Sequence, residues 1–124
     1  MRTAQILIVD DEPQICRNIK EICEYEGYEA DFVTTAKEAF QRVAQNEYKL
    51  LLVDIRMEKS GVEVIKLFRA KANRPKIVVI SAIPRDELDP MFEKEKIVTT
   101  VDGYLDKPGC CNPEELRPFL TQFV

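Results

Sequence analysis

Three apolar runs organise the sequence: ILIV at residues 6–9, LLLV at residues 50–53 and IVVI at residues 77–80. Short, uninterrupted runs rich in Ile, Val and Leu are typical of strands buried on both faces of a sheet. Two weaker strands are predicted at residues 30–33 and 101–105. Segments of helical periodicity separate the strands. The sequence therefore predicts an α/β fold of right-handed βαβ units, with a parallel sheet covered by helices on both faces.

The first two helices have clear start signals. One is predicted to begin at Pro13 and to end before Gly27, because apolar residues between them recur at helical spacing. The next begins at the capping box Thr35-Ala36-Lys37-Glu38, whose first and last side chains satisfy free amides of the first turn. Periodicity predicts that Phe40 of this helix faces the core.

The later helices are less regular. One covers about residues 60–72, with Leu67 among its apolar residues, and the last begins at the cap Asn112 followed by a proline. Residues 84–96 should hold a further helix, but Pro90 would break its interior because proline has no amide hydrogen. We therefore expect a short helical turn there, followed by a second helical piece that begins at Asp89-Pro90.

The composition describes one ordinary globular domain. The chain has 124 residues, of which 45% are apolar and 32% charged, and no apolar run approaches the roughly 20 residues that span a bilayer. The net charge of −4 without a basic run argues against sequence-independent binding to nucleic acid. The four cysteines form no CxxC pair and there is no histidine, so we expect structural thiols and a cytoplasmic protein.

Polar residues follow the predicted strands at the end where parallel sheets bind ligands. Asp10-Asp11-Glu12 follows the first run, Asp54 the second, Ser81 the third and Lys107 the last weak strand. A single aspartate at such a position is usually a helix cap or a strand terminator. Asp10, Asp11 and Asp54 together would repel one another unless a cation intervened. Carboxylate oxygens without histidine favour a hard ion, which predicts Mg²⁺.

Such a site suits phosphoryl transfer. The Asp54 carboxylate can attack phosphorus and form an acyl phosphate. Lys107, the Ser81 hydroxyl and Mg²⁺ would stabilise the charge on the transferred oxygens. Because the chain has no histidine, a phosphohistidine donor would have to come from a partner.

The segments that carry these residues resemble the receiver domain of two-component response regulators. The similarity covers essentially the whole chain, and we interpret residues 1–124 as one receiver domain. It rests on ILIVDDE at 6–12, LLVDIRM at 51–57, ISA at 80–82 and YLDKP at 104–108. The resemblance implies a flavodoxin-like fold, in which five βα units form three layers around a parallel sheet of strand order 2-1-3-4-5.

The resemblance also implies roles at the site. Asp54 would be the phosphoacceptor, with a sensor histidine kinase or a histidine phosphotransfer protein as the donor. Mg²⁺ would be bound by Asp10, Asp11 and Asp54. The backbone carbonyl of Arg56 would be a further ligand of the ion. Lys107 would bind the phosphoryl group.

For switching, the resemblance implies that Ser81 moves to bond a phosphoryl oxygen and that Tyr104 swings inward behind it. A role of Tyr104 in packing alone is the alternative. The Lys107-Pro108 peptide bond would be cis. The fourth helix, fifth strand and fifth helix would form the output face, which would allow a phosphorylation-dependent homodimer. Such a domain assists its own phosphorylation and dephosphorylation and is not an enzyme with independent turnover.

Two segments depart from the family pattern. Glu58 follows Met57 where the family usually has proline, and the loop to Gly61 is one residue shorter than is common. A shorter, acidic loop beside the metal would alter the lifetime of the phosphoryl group. The stretch between Ser81 and Lys107 is several residues longer than usual.

Other function classes stay open beside the phosphoreceiver. A phosphatase with an aspartate nucleophile would need an acid two residues after Asp54, where Arg56 stands. A flavin-binding module would need a hydroxyl-rich loop where Asp10-Asp11-Glu12 would repel a phosphate. A receiver-like interaction module without phosphorylation is the main alternative, although it would not need the complete set of polar residues.

Overall fold

The structure, a computed structural model, describes residues 4–55 and 61–124, and within these residues five strands alternate with five helices. The strands are β1 (Ile6–Val9), β2 (Ala30–Val33), β3 (Leu50–Asp54), β4 (Lys76–Ser81) and β5 (Gly103–Asp106). The helices are α1 (Pro13–Tyr25), α2 (Ala36–Gln45), α3 (Gly61–Arg69), α4 (Arg85–Lys94) and α5 (Pro113–Phe123), with a 3₁₀ turn at Gly109–Cys111. None of these described helices is long and apolar enough to cross a membrane.

All five strands form one parallel sheet in the order β2-β1-β3-β4-β5. This confirms the predicted α/β fold and strand order. β1 and β3 are neighbours although β2 separates them in sequence, so the direction of strand addition reverses between them. In an open parallel sheet, ligands bind in the crevice beyond the carboxyl ends of the strands at such a reversal.

Helices cover both faces of the sheet. On one face, α1 and α5 pack against strand residues such as Ile8 and Leu52. On the other face, α2, α3 and α4 pack against residues such as Leu7 and Leu51. Leu7 and Ile8 are both fully buried although successive strand residues point to opposite faces. Burial on both faces explains why the strands appear in the sequence as uninterrupted apolar runs.

Side-chain caps begin two of the helices. The Thr35 hydroxyl accepts a hydrogen bond from the Glu38 amide at 3.1 Å, and the Asn112 side chain accepts one from the Glu114 amide at 3.0 Å. Each bond satisfies an amide that the start of a helix leaves free, and losing such a cap typically costs about 1 kcal/mol. The predicted starts of α2 and α5 are confirmed.

The expectation that Phe40 faces the core is wrong, and the apolar Leu67 of α3 is exposed in the same way. Their side chains are 39% and 38% exposed. Ala39 of α2 and Phe68 of α3 fill the inward positions next to them, and the two exposed residues line a surface cavity together with Ala70. Helical periodicity predicts an apolar face about 100° wide, and residues at its margin lose the sheet as a packing partner.

α4 is one continuous helix with Pro90 inside it, so the prediction of a second piece beginning at Asp89-Pro90 is wrong. The proline ring removes the hydrogen bond to the Asp86 carbonyl, which typically costs about 3 kcal/mol. Leu88 and Phe92, on either side of it, are buried in the core. Full burial of such a side chain contributes about 1.5–3 kcal/mol. The two anchors together therefore offset the proline and keep both halves of α4 on one axis.

β5 begins at Gly103 rather than at residue 101. The Asp102 amide donates a hydrogen bond to the Ile77 carbonyl at 2.7 Å, but the Asp102 carboxylate accepts from the Ile77 amide at 2.9 Å. The Asp102 carboxylate thus takes the place of a backbone carbonyl as the acceptor for the Ile77 amide. Arg74 pairs with the same carboxylate at 3.6 Å.

The segment 95–102 between α4 and β5 is fastened to α3. Lys66 Nζ lies 2.9 Å from Glu95 Oε1, and Arg69 Nη1 donates a hydrogen bond to the Lys96 carbonyl at 2.9 Å. Lys96 has a φ of 60°, in the left-handed region, where the chain turns away from α4. Two basic residues of α3 therefore hold the C-terminal end of α4 and the turn that follows it.

Candidate functional site

The strand register brings the predicted acidic residues together. Val9 pairs with Val53 across β1 and β3. Asp10 and Asp54, one residue further along each chain, therefore lie side by side where the strand order reverses. Both are buried, with exposures of 0% and 4%. The Glu12 amide donates a hydrogen bond to Asp10 Oδ1 at 2.9 Å, which fixes the orientation of that carboxylate.

β4 and β5 bring a hydroxyl and an ammonium group to the same edge. Ser81 pairs with Asp106 across these strands, and the Lys107 amide donates to the Ser81 carbonyl at 3.1 Å. The Lys107-Pro108 peptide bond is cis, as the motif predicted. The carboxyl ends of four neighbouring strands thus place the predicted site residues at one edge of the sheet.

The Lys107 ammonium group lies among three carboxylates. Its Nζ atom is 3.0 Å from Asp10 Oδ2, 3.0 Å from Glu12 Oε1 and 3.2 Å from Asp54 Oδ2. Burial by itself lowers the pKa of Lys107, but the three carboxylates outweigh burial and hold that pKa above its usual value. Lys107 is therefore a constant positive charge at this edge.

The surroundings of Asp10 disfavour its charged form. Burial raises the pKa of Asp10 to about 6, although the Glu12 amide and Lys107 act in the opposite direction. Its Oδ2 atom is buried and has no hydrogen bond from any described residue; the ion pair with Lys107 is its polar contact. Among the described residues, three carboxylates thus surround one ammonium group, so these residues carry an excess of negative charge.

The donor set fits a hard divalent cation. One carboxylate oxygen from each of Asp10, Asp11 and Glu12 lies within 4.8 Å of the others, so this group contains two of the three predicted carboxylate ligands, with Glu12 in place of Asp54. Oxygen ligands of this kind suit Mg²⁺, and the only polar contact of the buried Asp10 Oδ2 atom among the described residues is the Lys107 ion pair, which leaves a lone pair for a cation. The predicted ligand Arg56 lies outside the described residues, as does the Met57-Glu58 loop.

Replacement of Asp10 by asparagine should stabilise the metal-free domain at pH 7. The pKa of Asp10 in the folded state lies above the value near 4 of an unfolded chain, so the folded state holds the proton more tightly between about pH 4 and about pH 6. Stability from this group is therefore present below about pH 4 and lost as the pH rises through about 6. Asp10→Asn should remove that loss, on the order of 1–2 kcal/mol.

Chemical denaturation in a chelating buffer at several pH values would measure the effect of Asp10→Asn. Asp11→Asn is the matched control, because it removes the same charge from an exposed neighbouring side chain. Equal stability changes for the two variants across this pH range would contradict the role of burial at Asp10.

The two predicted switch residues line the same surface cavity. The Ser81 hydroxyl accepts a hydrogen bond from the Ile83 amide at 2.9 Å. The Tyr104 ring stacks on Phe92 with ring centroids 5.8 Å apart, and the Arg85 guanidinium carbon lies 3.9 Å from the Tyr104 ring centroid. A cavity of about 470 Å³ is lined by Ser81 and Tyr104. Space for movement therefore exists beside Ser81, while the movement itself stays a prediction.

Two residues have a larger part in the site than the sequence motifs assign to them. Glu12 reaches Lys107, and the signal that points to it is a third consecutive acid facing a single lysine at the same edge of the sheet. Gly61 begins α3 directly against the end of β3, where a Cβ atom would lie 2.5 Å from the Asp54 carbonyl oxygen. The sequence signal for Gly61 is only a glycine after a short loop.

Comparison with known protein families gives a match over most of the chain. The family model described as the response regulator receiver domain matches residues 6–120. The chain therefore belongs to the response regulator receiver domain family, as its motifs predicted. It is a receiver domain of the two-component response regulator class.

Individual relatives agree with this assignment. The aerobic respiration control protein ArcA of Escherichia coli K12 is 32% identical over 94% of this chain, and the regulatory protein VanRB of Enterococcus faecalis is 31% identical over 84% of it. The chain spans 46% of the length of each of these two relatives. A CheY-like receiver domain protein from Methanospirillum hungatei is a similar solved structure, with a TM-score of 0.80 and 27% identity over 98% of this chain and 93% of that one.

Proposed function

We propose that residues 1–124 act as a phosphoryl-accepting domain in which Asp54 takes a phosphoryl group from a phosphohistidine of a sensor histidine kinase or a histidine phosphotransfer protein. The observation that carries this proposal is the contact of Lys107 Nζ with Asp54 Oδ2 at 3.2 Å, at the buried edge where the strand order reverses. A carboxylate nucleophile beside a fixed positive charge is what formation of an acyl phosphate requires. Membership of the receiver family supports the same chemistry.

In the transfer step, one carboxylate oxygen of Asp54 forms a bond to phosphorus while the bond from phosphorus to the histidine nitrogen breaks. The electron pair of the broken bond stays on the imidazole, which then takes a proton from solvent. Lys107 would balance charge on the phosphoryl oxygens without a change of its own protonation, because its pKa is held high. The Ser81 hydroxyl would exchange its bond from the Ile83 amide for one to a phosphoryl oxygen.

Asp10, Asp11 and Asp54 would hold a Mg²⁺ ion at this edge. When bound, the ion would supply further positive charge to the phosphoryl oxygens. The excess of carboxylates over ammonium groups among the described residues supports this assignment, as does the buried Asp10 Oδ2 atom, whose polar contact there is the ion pair with Lys107.

The output would be a change at the surface formed by α4, β5 and α5. Ser81 ends β4 four residues before the first residue of α4, and the Tyr104 ring of β5 contacts both Arg85 and Phe92 of that helix. Movement of Ser81 towards Asp54 would open space into which the Tyr104 ring could turn. We propose that this surface then binds a partner, an attached output domain or a second copy of the domain.

An intact-mass measurement tests the phosphorylation of Asp54. Acetyl phosphate with Mg²⁺ should add about 80 Da to the protein, the mass of one phosphoryl group. Asp54→Asn should abolish the gain, whereas the control Asp86→Asn, on the exposed surface of α4, should leave it unchanged.

Two outcomes would contradict the proposal. An unchanged mass under conditions that modify another receiver domain would favour an interaction module that works without phosphorylation. Release of phosphate from many small phosphate esters over several turnovers would favour a phosphatase.

A further inference from the structure

The Glu12 side chain makes a contact that its place in the fold does not require. Glu12 is the N-cap residue of α1, but its side chain makes no capping hydrogen bond. It extends across the site instead, and its Oε1 atom accepts a hydrogen bond from Lys107 Nζ at 3.0 Å. The side chain is 60% exposed. The ion pair with Lys107 therefore has to offset the loss of rotamer freedom and of part of the hydration of the carboxylate.

The three carboxylates around Lys107 differ in how easily each can be released. Asp10 is fully buried, and the Glu12 amide holds its other oxygen. Asp54 is 4% exposed and is the residue that would carry the phosphoryl group. Glu12 can regain water by a simple change of rotamer, because most of its side chain already faces solvent. Glu12 is therefore the carboxylate that a phosphoryl group can displace from Lys107 at the lowest cost.

We propose that the Glu12 carboxylate competes with the phosphoryl group for the Lys107 ammonium group. It pairs with Lys107 in the unphosphorylated domain and is displaced when Asp54 is phosphorylated. The inference rests on the proposed phosphorylation of Asp54. Glu12 is a positioning residue, since it acts through Lys107. It also adds negative charge beside Asp54, where an anionic donor must approach.

Removal of the Glu12 charge should therefore speed phosphorylation by a small anionic donor. The energy of an exposed ion pair corresponds to about a two- to five-fold change in rate. Dissolved salt screens exposed charges, so the advantage of the variant should shrink as the ionic strength rises from about 0.01 M to about 1 M. A purely structural effect of the substitution would not depend on salt in this way.

The first experiment compares the rate at which acetyl phosphate and Mg²⁺ modify the wild type, Glu12→Gln and Glu95→Gln. Glu95 is the matched control, because it also pairs with a lysine, at 2.9 Å, far from the site. We expect a salt-dependent gain in rate for Glu12→Gln only. A slower rate for Glu12→Gln together with weaker Mg²⁺ binding would overturn the inference and make Glu12 a metal ligand.

The second experiment tests the Glu12–Lys107 contact in the unphosphorylated protein by measuring how fast Lys107 is acylated. Lysine acylation followed by peptide mass spectrometry should show faster labelling of Lys107 in Glu12→Gln, while the labelling of Lys66 stays unchanged. Glu12→Asp, whose shorter side chain keeps the charge, should lose the same contact and also speed the labelling, although Asp10 and Asp54 still pair with Lys107. Unchanged Lys107 labelling would overturn the inference even if Asp54 is phosphorylated. Faster labelling with no phosphorylation of the wild type would instead show the contact and refute the proposed function.

Discussion

Replacement of Lys107 by alanine should destabilise the metal-free domain by about 3 kcal/mol at neutral pH, the lower end of the loss seen when one member of a buried ion pair is removed. The Lys107 side chain is 15% exposed and contacts two buried carboxylates, Asp10 and Asp54. Without the ammonium group, these carboxylates lose their cation in a medium where charge is costly. We expect the lower end of that range because the third carboxylate beside Lys107, that of Glu12, faces water and stays hydrated without the ion pair.

Urea denaturation of Lys107→Ala in chelating buffer would measure this loss. The loss should be smaller at about pH 5, where Asp10, with its raised pKa, is mostly protonated. Millimolar Mg²⁺ should restore part of the stability, because an ion that binds only the folded state stabilises it by mass action. Lys66→Ala is the control, since its partner Glu95 lies on the surface. An equal loss in the two variants would show that the carboxylates do not depend on Lys107.

Replacement of Gly61 by alanine should cost about 1–3 kcal/mol of stability, the usual range for an added methyl group in a tightly packed region. A Cβ atom at Gly61 would lie 2.5 Å from the Asp54 carbonyl oxygen and 2.8 Å from Ile55 Cα. Both neighbours are backbone atoms, so no side chain can turn aside. Either α3 or the end of β3 has to move, and the second would shift Asp54 itself.

Thermal unfolding with and without Mg²⁺ would separate these two responses to Gly61→Ala. If the end of β3 moves, the variant loses stability and also gains less from added Mg²⁺ than the wild type does. Glu63→Ala, an exposed change on the same helix, is the control for helix propensity. A stability equal to that of the control would mean that the close approach of Gly61 to Asp54 is tolerant of a methyl group.

The framework of the fold could be predicted from the sequence because its signals are local and strong. The central strands are buried on both faces, so their residues form uninterrupted apolar runs. The strand ends then fixed the positions of Asp10, Asp54 and Lys107, since parallel strands in register deliver their next residues to one edge. Motif resemblance added the strand order and the cis peptide bond, which periodicity alone does not specify.

The errors arose where tertiary contacts override local preference. Pro90 was expected to divide α4, but the burial of Leu88 and Phe92 outweighs the missing hydrogen bond. Phe40 lies at the margin of α2, and no local pattern shows that neighbouring residues already fill the core. The contact of Glu12 with Lys107 joins residues far apart in sequence, and only the folded sheet brings them together.

The ties from α3 to the turn after α4 make the two ends of that helix unequal. Its C-terminal end is held by Lys66 and Arg69, whereas its N-terminal end follows directly from the Ser81 loop. A helix of ten residues is about 15 Å long, so a tilt of about 10° would move one end by about 3 Å relative to the other. A displacement at Ser81 would therefore move the N-terminal end of α4 more than the end at Glu95, within the limit set by the buried Leu88.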